Sequence, residues 1–257
     1  MHPVLATVWG IPIHTWPLIF ATGVSLGWWG AIRASERARH SPLPPALGVL
    51  AFLGAVIGAK ALALVLGPYG FSGGVSLFDS GFAELGGLAG GAITSCVYLR
   101  RRRIAILPVF DVMAPYAAVS LAFIRLGCFF NGCCRGTPSD LPWAVRFPQA
   151  EVASGSALAS FHAATLHPVQ LYYSLFFLLL FALLCAVETR WKRPGTKAYV
   201  FLIAFLAVKF TLECVRQDDG RYFLGLNFSQ VAASFAILGV AAWTLAMRLC
   251  GNRRLAM

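Results

Sequence analysis

Six ionisable side chains lie within or at the ends of long apolar stretches of this 257-residue sequence. A charged group inside a membrane-spanning helix costs about 2.5–3.5 kcal/mol on insertion scales, so each one is expected to have a partner and a function. Lys209, Glu213 and Arg216 are spaced to share one helix face, which predicts either a self-neutralising structural pair or part of a site. The six residues are Lys60, Glu84, Asp111, Arg125, Lys209 and Glu213.

The most distinctive polar stretch spans residues 124–136 and combines an arginine with glycines, an asparagine and cysteines. Arginine offers a planar pair of donors that matches phosphate oxygens, and glycine or asparagine lets the backbone turn close to a ligand. We therefore interpret Arg125, Gly127, Asn131, Gly132 and Gly136 as a candidate phosphate site at a helix exit. The alternative is a tight helix exit whose arginine only reaches toward the membrane surface.

The elements that must position these groups are membrane-spanning helices. Hydrophobic residues make up 58% of the chain and charged residues 12%, against about 25% charged in an average soluble domain. The apolar runs have the ~17–25 residues that a crossing helix needs. We predict an all-α, polytopic membrane protein with a single domain over residues 1–257 and about seven spans. The predicted spans are Trp16–Ile32, Pro45–Gly67, Glu84–Leu99, Ile104–Ile124, Pro168–Val187, Ala198–Val215 and Phe228–Cys250.

The distribution of basic residues predicts the orientation of these spans. Fourteen lysines and arginines fall in the first, third and fifth loops and the carboxyl-terminal tail, whereas only four fall on the opposite side. Positively charged loops stay in the cytoplasm, so we expect the amino terminus outside and the carboxyl terminus inside. The clusters lie between apolar runs rather than along an aromatic-rich stripe, so the net charge of +11 does not indicate nucleic-acid binding.

Under this topology four polar residues fall at the outer ends of their helices. Glu84 opens the third span, Arg125 closes the fourth, His167 opens the fifth and Glu213 closes the sixth. We expect the four to converge on one site. Lys60 and Asp111 lie deeper or nearer the inner face, and we expect them to pack or to orient helices.

Paired glycines follow Glu84 at Gly86, Gly87, Gly90 and Gly91. Small residues four positions apart let a neighbouring helix approach closely, and this is the favoured interpretation. The alternative is that the free backbone N–H groups of the helix amino terminus receive an anionic head group.

The stretch around Arg125 resembles the signature of the prolipoprotein diacylglyceryl transferases, bacterial inner-membrane enzymes, which reads approximately G-R-x-G-N-F-x-N-G-E-x-x-G. Four further family motifs are matched in order along nearly the whole chain. Five motifs in the right order on a seven-span frame indicate common descent. The four are Asp111 with Ala114-Pro115, then His167-Pro168-x-Gln170-Leu171-Tyr172, then Glu213-x-x-Arg216-Gln217, and Ser229-Gln230.

The resemblance implies transfer of a diacylglyceryl group from phosphatidylglycerol to the thiol of a lipobox cysteine in a prolipoprotein signal peptide, without metal or cofactor. It implies that Arg125 holds the phosphate with help from Arg216, and that Glu213 orients a cation or a glycerol hydroxyl. The implied catalytic residues are Arg125, Glu213, His167 and Glu84. The implied substrate-binding residues are Arg125, Gly127, Asn131, Gly132, Gly136, Lys209, Arg216, Gln170, Tyr172 and His14.

Several positions depart from the family pattern. Leu85 stands where the family's H-G-G motif has histidine, and Lys209 stands where it has arginine. Glu84, His14 or His167 is then left to carry the proton that the missing histidine would have moved. The other departures are Trp16 and Phe205 in place of tyrosines, and Cys128 and Cys133 in place of the signature's first Asn and its Glu.

These departures leave other hypotheses open. A divergent paralogue would move a lipid or phosphoglycerol group to another acceptor, with Cys128, Cys133 or Cys134 as nucleophile, although a disulfide or free thiols are the simpler interpretation. A non-catalytic lipid-binding membrane protein would keep only the scaffold. A metal site using His162 or His167 is disfavoured because adjacent cysteines seldom ligate one tetrahedral ion.

Overall fold

The computed structural model describes residues 4–8, 11–37, 43–66, 83–147, 165–187, 193–216, 221–223 and 225–239. Helices make up most of these ranges. They are α1 (Thr15–Arg37), α2 (Pro45–Leu66), α3 (Glu84–Arg101), α4 (Ile106–Asn131), α5 (Val169–Ala186), α6 (Thr196–Glu213) and the shorter α7 (Phe228–Gly239). The strands are β1 (Val4–Val8), β2 (Ile11–His14), β3 (Arg221–Phe223) and β4 (Leu226–Asn227).

The helices have the composition and surface expected of membrane spans. Three of those described are long and apolar enough to cross a bilayer: Pro45–Val65, Ile106–Asn131 and Val169–Ala186. Large apolar side chains also lie on the outer surface, with Ile57 67% and Leu179 62% exposed. Lipid tails solvate such side chains, and helices satisfy their own backbone hydrogen bonds. The all-α membrane class is therefore confirmed, with two short antiparallel hairpins, β1–β2 and β3–β4, that the sequence did not predict.

Close helix packing explains the paired glycines of α3. A Cβ added to Gly86 would lie 2.4 Å from the carbonyl oxygen of Gly58 in α2, and one added to Gly90 would lie 2.2 Å from that of Gly54. Only glycine allows backbones to approach this closely. The packing interpretation of the glycines is confirmed.

Helices α4, α5 and α6 enclose the main core, in which Tyr173, Phe177 and Phe205 are fully buried. Asp111 of α4 orients the start of α6. Its Oδ2 accepts a hydrogen bond from the Gly195 backbone N–H at 2.5 Å, and its Oδ1 accepts one from that of Ala198 at 2.9 Å. These are amides of the first turn of α6, which has no intrahelical acceptor for them. The expected helix-orienting role of Asp111 is confirmed.

The predicted exit of the fourth span at Arg125 is wrong. Helix α4 continues to Asn131, because the apolar run resumes after Arg125 with Leu126, Phe129 and Phe130. Gly127 is therefore helical and does not turn the chain toward a ligand. The predicted seventh span reaches Gly239 in the described residues, and the rest of it to Cys250 lies outside them, as does His162.

Candidate functional site

The polypeptide reverses direction at the end of α4, at Gly132. The Gly132 N–H donates to the Phe129 carbonyl at 3.1 Å and the Cys133 N–H donates to the Cys128 carbonyl at 3.2 Å, the paired bonds of a Schellman motif. Gly132 has φ of 75°, which glycine adopts without steric cost. The signature residues after Gly132 consequently return toward the last turn of α4.

A chain of alternating charges connects three helices at this end. Arg125 of α4 contacts Glu84, the first residue of α3. Glu84 Oε2 lies 3.1 Å from Lys209 Nζ of α6, and the same nitrogen lies 2.7 Å from Glu213 Oε1. That oxygen in turn lies 2.9 Å from Arg216 Nη1. The predicted convergence of Glu84, Arg125 and Glu213 is confirmed.

This ion chain carries one positive charge in excess, because three cations face two carboxylates. The side chains of Arg125, Lys209 and Glu213 are at most 7% exposed, so bulk water does little to screen that charge. A buried charge is costly unless an opposite charge accompanies it. The ion chain is therefore more than a self-neutralising pair, and its charge would be balanced by a ligand with one negative charge.

Tyr173 of α5 contacts two cations of the ion chain, Arg125 and Lys209, with the face of its ring. The Arg125 guanidinium carbon lies 4.3 Å from the centroid of the Tyr173 ring, and Lys209 Nζ lies 5.9 Å from it. An aromatic face attracts cations through its quadrupole, more strongly when water is excluded. Sequence reasoning missed Tyr173 and named its neighbour Tyr172. Its signal was the three-residue spacing from Gln170, which puts both buried side chains on one face of α5.

Asn227, at the start of α7, holds the second carboxylate of the ion chain. Its Nδ2 donates to Glu213 Oε2 at 2.9 Å. Asn227 and Gln230 also form a capping box, in which Asn227 Oδ1 accepts from the Gln230 N–H and Gln230 Oε1 accepts from the Asn227 N–H. The start of α7, which the sequence analysis identified only through the Ser229-Gln230 motif, thus positions Glu213.

Gly136 connects the turn after α4 to the start of α5 and to the end of α6. Its N–H donates to the His167 carbonyl at 3.1 Å, and the following Thr137 N–H donates to the Val215 carbonyl at 2.9 Å. A Cβ on Gly136 would lie 2.6 Å from that of His167, so only glycine fits here without displacement. Gly136 therefore acts by allowing this approach, which places Arg216 beside the turn.

The predicted site residues His167 and Tyr172 form a neighbouring polar group. The Tyr172 hydroxyl lies 3.3 Å from His167 Nδ1 and accepts a hydrogen bond from Trp143 Nε1 at 2.9 Å. Among the contacts of the described residues, neither side chain joins the ion chain. His167 reaches the ion-chain region through its backbone bonds to Gly136 and Thr137.

Three other predicted binding residues lie apart from the ion chain. His14 is exposed at the end of β2, and Asn131 is exposed at the end of α4. Gly127 faces Trp16, whose Cδ1 would lie 3.1 Å from an added Cβ. Gly127 thus serves the packing of α4 on α1.

Arg125 Nε, a donor, and Gln170 Oε1, an acceptor, are buried at the site and have no hydrogen-bond partner among the described residues. Gln170 is fully buried, and its Nε2 donates to the Cys133 carbonyl at 2.6 Å. Buried polar groups are normally paired, so unpaired ones indicate a missing partner. A ligand with both an acceptor oxygen and a hydroxyl group would satisfy this pair of atoms.

The disulfide expected as one interpretation of the signature cysteines is absent from the described part of the chain. Cys128, Cys133 and Cys134 are free thiols there.

Known proteins are similar to this sequence over most of its length. The family model described as prolipoprotein diacylglyceryl transferase matches residues 3–246. The chain is 26% identical to the phosphatidylglycerol–prolipoprotein diacylglyceryl transferase of Clostridium tetani, over 93% of this chain and 94% of that protein. It is 31% identical to the Methylococcus capsulatus protein of the same name, over 85% of this chain and 83% of the relative. The Bordetella avium protein of that name is 37% identical over 58% of this chain and 53% of its own.

Proposed function

The chain belongs to the prolipoprotein diacylglyceryl transferase family, and we propose on that premise that it moves a diacylglyceryl group from phosphatidylglycerol to the cysteine thiol of a prolipoprotein. The relatives named above carry these two substrates in their names. The single observation that carries the proposal is the ion chain of Glu84, Arg125, Lys209, Glu213 and Arg216, with its one excess positive charge.

Phosphatidylglycerol matches this site in charge and in hydrogen-bonding groups. Its phosphodiester has one negative charge, which offsets the excess charge of the ion chain. Its phosphate oxygens can accept from Arg125 Nε, and a hydroxyl of its glycerol head group can donate to Gln170 Oε1. Neither atom has a hydrogen-bond partner among the described residues. Asn131, Gly132 and Gly136 then act through the turn that carries Cys133 and reaches Arg216.

The reaction forms a carbon–sulfur bond and breaks a carbon–oxygen bond. The acceptor thiolate attacks the diacylglyceryl carbon that bears the phosphate ester, and glycerol phosphate leaves with the bonding electrons. Negative charge develops on the departing phosphate, and Arg125 and Arg216 stabilise it by electrostatics. Glu213 holds Lys209 and Arg216 in place for this step.

The thiol proton must pass to a base before or during attack, since thiolate is the nucleophile. Glu84 already faces two cations, Arg125 and Lys209, so its carboxylate serves to hold them. His167 faces a phenol through Nδ1 and carries no ion pair in the described contacts. We assign proton acceptance to His167 and the orientation of Arg125 to Glu84.

Two departures from the family pattern leave the ion chain intact. Lys209 needs only one nitrogen to bridge Glu84 and Glu213, so a planar guanidinium is not required there. Leu85 packs against the main apolar core next to Glu84. Neither departure therefore removes a charge from the proposed phosphate site.

The proposal extends to topology and location. Seven spans with the amino terminus outside would put the ion chain near the outer face of a bacterial inner membrane. The lipobox cysteine of a prolipoprotein signal peptide would reach it there, and His14 would line the same outer side. The whole chain would act as one domain.

The test uses purified protein in vesicles that contain acyl-labelled phosphatidylglycerol, together with a lipobox peptide. The expected product is a thioether-linked diacylglyceryl peptide. Arg125→Lys keeps the charge but loses the second donor, and we expect its turnover to fall at least ~10-fold. Arg33→Lys, at an exposed pair with Glu36, is the matched control and should leave turnover unchanged.

Three results would contradict the proposal. Glycerol phosphate release without peptide labelling would indicate another acceptor. Saturable lipid binding without any turnover would indicate a non-catalytic protein. Equal turnover in Arg125→Lys and Arg33→Lys would remove Arg125 from the site.

A further inference from the structure

Three cysteine sulfurs gather at the end of α4, beside the ion chain. The Sγ atoms of Cys128, Cys133 and Cys134 all lie within 4.8 Å of one another. Cys128 is in the last turns of α4, and the Schellman motif brings Cys133 back over it, with the Cys133 thiol 3.7 Å from the Cys128 carbonyl. The sequence alone argues against a shared ion, because Cys133 and Cys134 are adjacent.

The backbone removes that objection. Cys134 has φ of 59°, a left-handed conformation that residues with a side chain seldom adopt. Together with Gly132 it turns the chain twice within three residues, and the two adjacent sulfurs end on the same side as Cys128. An uncommon conformation of this kind persists only where the surrounding structure holds it, and such residues concentrate at functional sites.

We propose that Cys128, Cys133 and Cys134 bind one thiophilic divalent metal ion of the zinc class. Thiolate sulfur selects soft or borderline ions over magnesium and calcium. A zinc–sulfur bond of ~2.3 Å in tetrahedral geometry places sulfurs about 3.8 Å apart, within reach of the present spacing by small side-chain rotations. The fourth position of the ion is left to water or another small ligand.

The surroundings favour the charge of such a site. Binding of the divalent ion releases three thiol protons to solvent and leaves three thiolates on the metal, with one net negative charge. Arg216 Nη2 lies 3.8 Å from Cys134 Sγ and offsets that charge.

The site is a feature of this chain rather than of the family signature. Cys128 and Cys133 stand where the signature has asparagine and glutamate, so two of the three sulfurs replace oxygen or amide groups. The Cys133 carbonyl accepts from Gln170 Nε2, so a bound ion would fix the same turn that holds this buried glutamine. The inference does not rest on the proposed transfer reaction, although both use Arg216.

The experiment uses the full chain in detergent. The protein is first reduced and treated with a chelator, and a thiol titration then verifies that its cysteines are free. Cobalt(II) is titrated in, followed by zinc(II). We expect one equivalent of cobalt to give a sulfur-to-cobalt charge-transfer band with the intensity of three thiolates, and zinc to abolish it. Cys134→Ser and Cys133→Ser should each lose about one third of the band and bind at least ~10-fold more weakly.

Cys185→Ser, which removes an exposed thiol near the end of α5, is the matched control and should keep the full band. A wild-type protein with free thiols but no charge-transfer band would overturn the proposal. So would an equal band in Cys133→Ser, Cys134→Ser and the wild type, because the cobalt would then sit elsewhere. The wild-type titration decides the question even if a cysteine variant fails to fold, and it requires no lipid or peptide.

Discussion

The Arg125 guanidinium lies over the ring of Tyr173, with its central carbon 4.3 Å from the ring centroid. The ring face therefore packs against the arginine that is proposed to hold phosphate, and the Glu84 carboxylate forms an ion pair with the same arginine. Neither contact uses Arg125 Nε, which keeps one donor for a ligand.

Tyr173→Leu removes this aromatic ring while keeping an apolar side chain. A desolvated cation–π contact is worth about 0.5–2 kcal/mol, so we expect transfer activity to fall about 2- to 30-fold. Tyr173→Phe keeps the ring and loses only a long hydrogen bond of 3.5 Å to the Lys209 carbonyl. Turnover with labelled phosphatidylglycerol measures both variants, and equal losses in the two would show that the hydroxyl, not the ring face, matters.

Lys209→Gln breaks the ion chain at its centre. The change leaves Glu84 and Glu213 without the cation that lies between them, and loss of one partner of a buried pair costs about 3–5 kcal/mol. We expect a large fall in the thermal unfolding midpoint, measured by a thiol-independent probe. Lys209→Arg should recover most of the midpoint because it restores the charge.

The exposed pair Arg33–Glu36 supplies the comparison for Lys209. Its side chains are 58% and 51% exposed, and such surface pairs contribute about 0–1 kcal/mol. Arg33→Gln should therefore leave the unfolding midpoint nearly unchanged. Similar midpoints for Lys209→Gln and Arg33→Gln would mean that the ion chain is not a buried unit.

Gly136→Ala tests the junction between the turn after α4 and the start of α5. The added methyl would lie 2.6 Å from His167 Cβ and 2.7 Å from its carbonyl oxygen, so the turn must shift. Overpacking of this kind costs about 1–3 kcal/mol, and we expect both stability and transfer activity to fall. Gly239→Ala is the control, since its added methyl meets no atom of the described residues within 4 Å. A fully active Gly136→Ala protein would contradict the proposed positioning of the turn.

Asp111→Ala separates helix orientation from chemistry. The variant removes both acceptors for the amides at the start of α6 and should lower stability by about 0.5–2 kcal/mol. Asp111 makes no contact with the ion chain among the described residues, so the folded fraction should keep its turnover per molecule. Activity normalised to folded protein, measured by size-exclusion chromatography before the assay, distinguishes the two effects. Loss of normalised activity would place Asp111 in the reaction.

Sequence alone determined the class of protein and most of the charged groups of the site. Apolar runs of helical length can be solvated only by lipid or a large core, and a charge retained within such a run needs a partner. For that reason Glu84, Arg125, Lys209 and Glu213 were identifiable without coordinates. The ordered motifs also identified Gln170, Arg216 and the turn at Gly132.

Tertiary structure decided which of these groups meet and by which atoms. The extension of α4 to Asn131 made Gly127 a packing residue, since a helix continues wherever its backbone bonds and apolar neighbours persist. The rotation of α5 put Tyr173 under Arg125 and sent Tyr172 to His167 and Trp143, a choice that two adjacent tyrosines do not reveal. The positive φ of Cys134 brought three sulfurs together against the expectation for adjacent cysteines, because contacts across the fold, not spacing along the chain, hold that conformation.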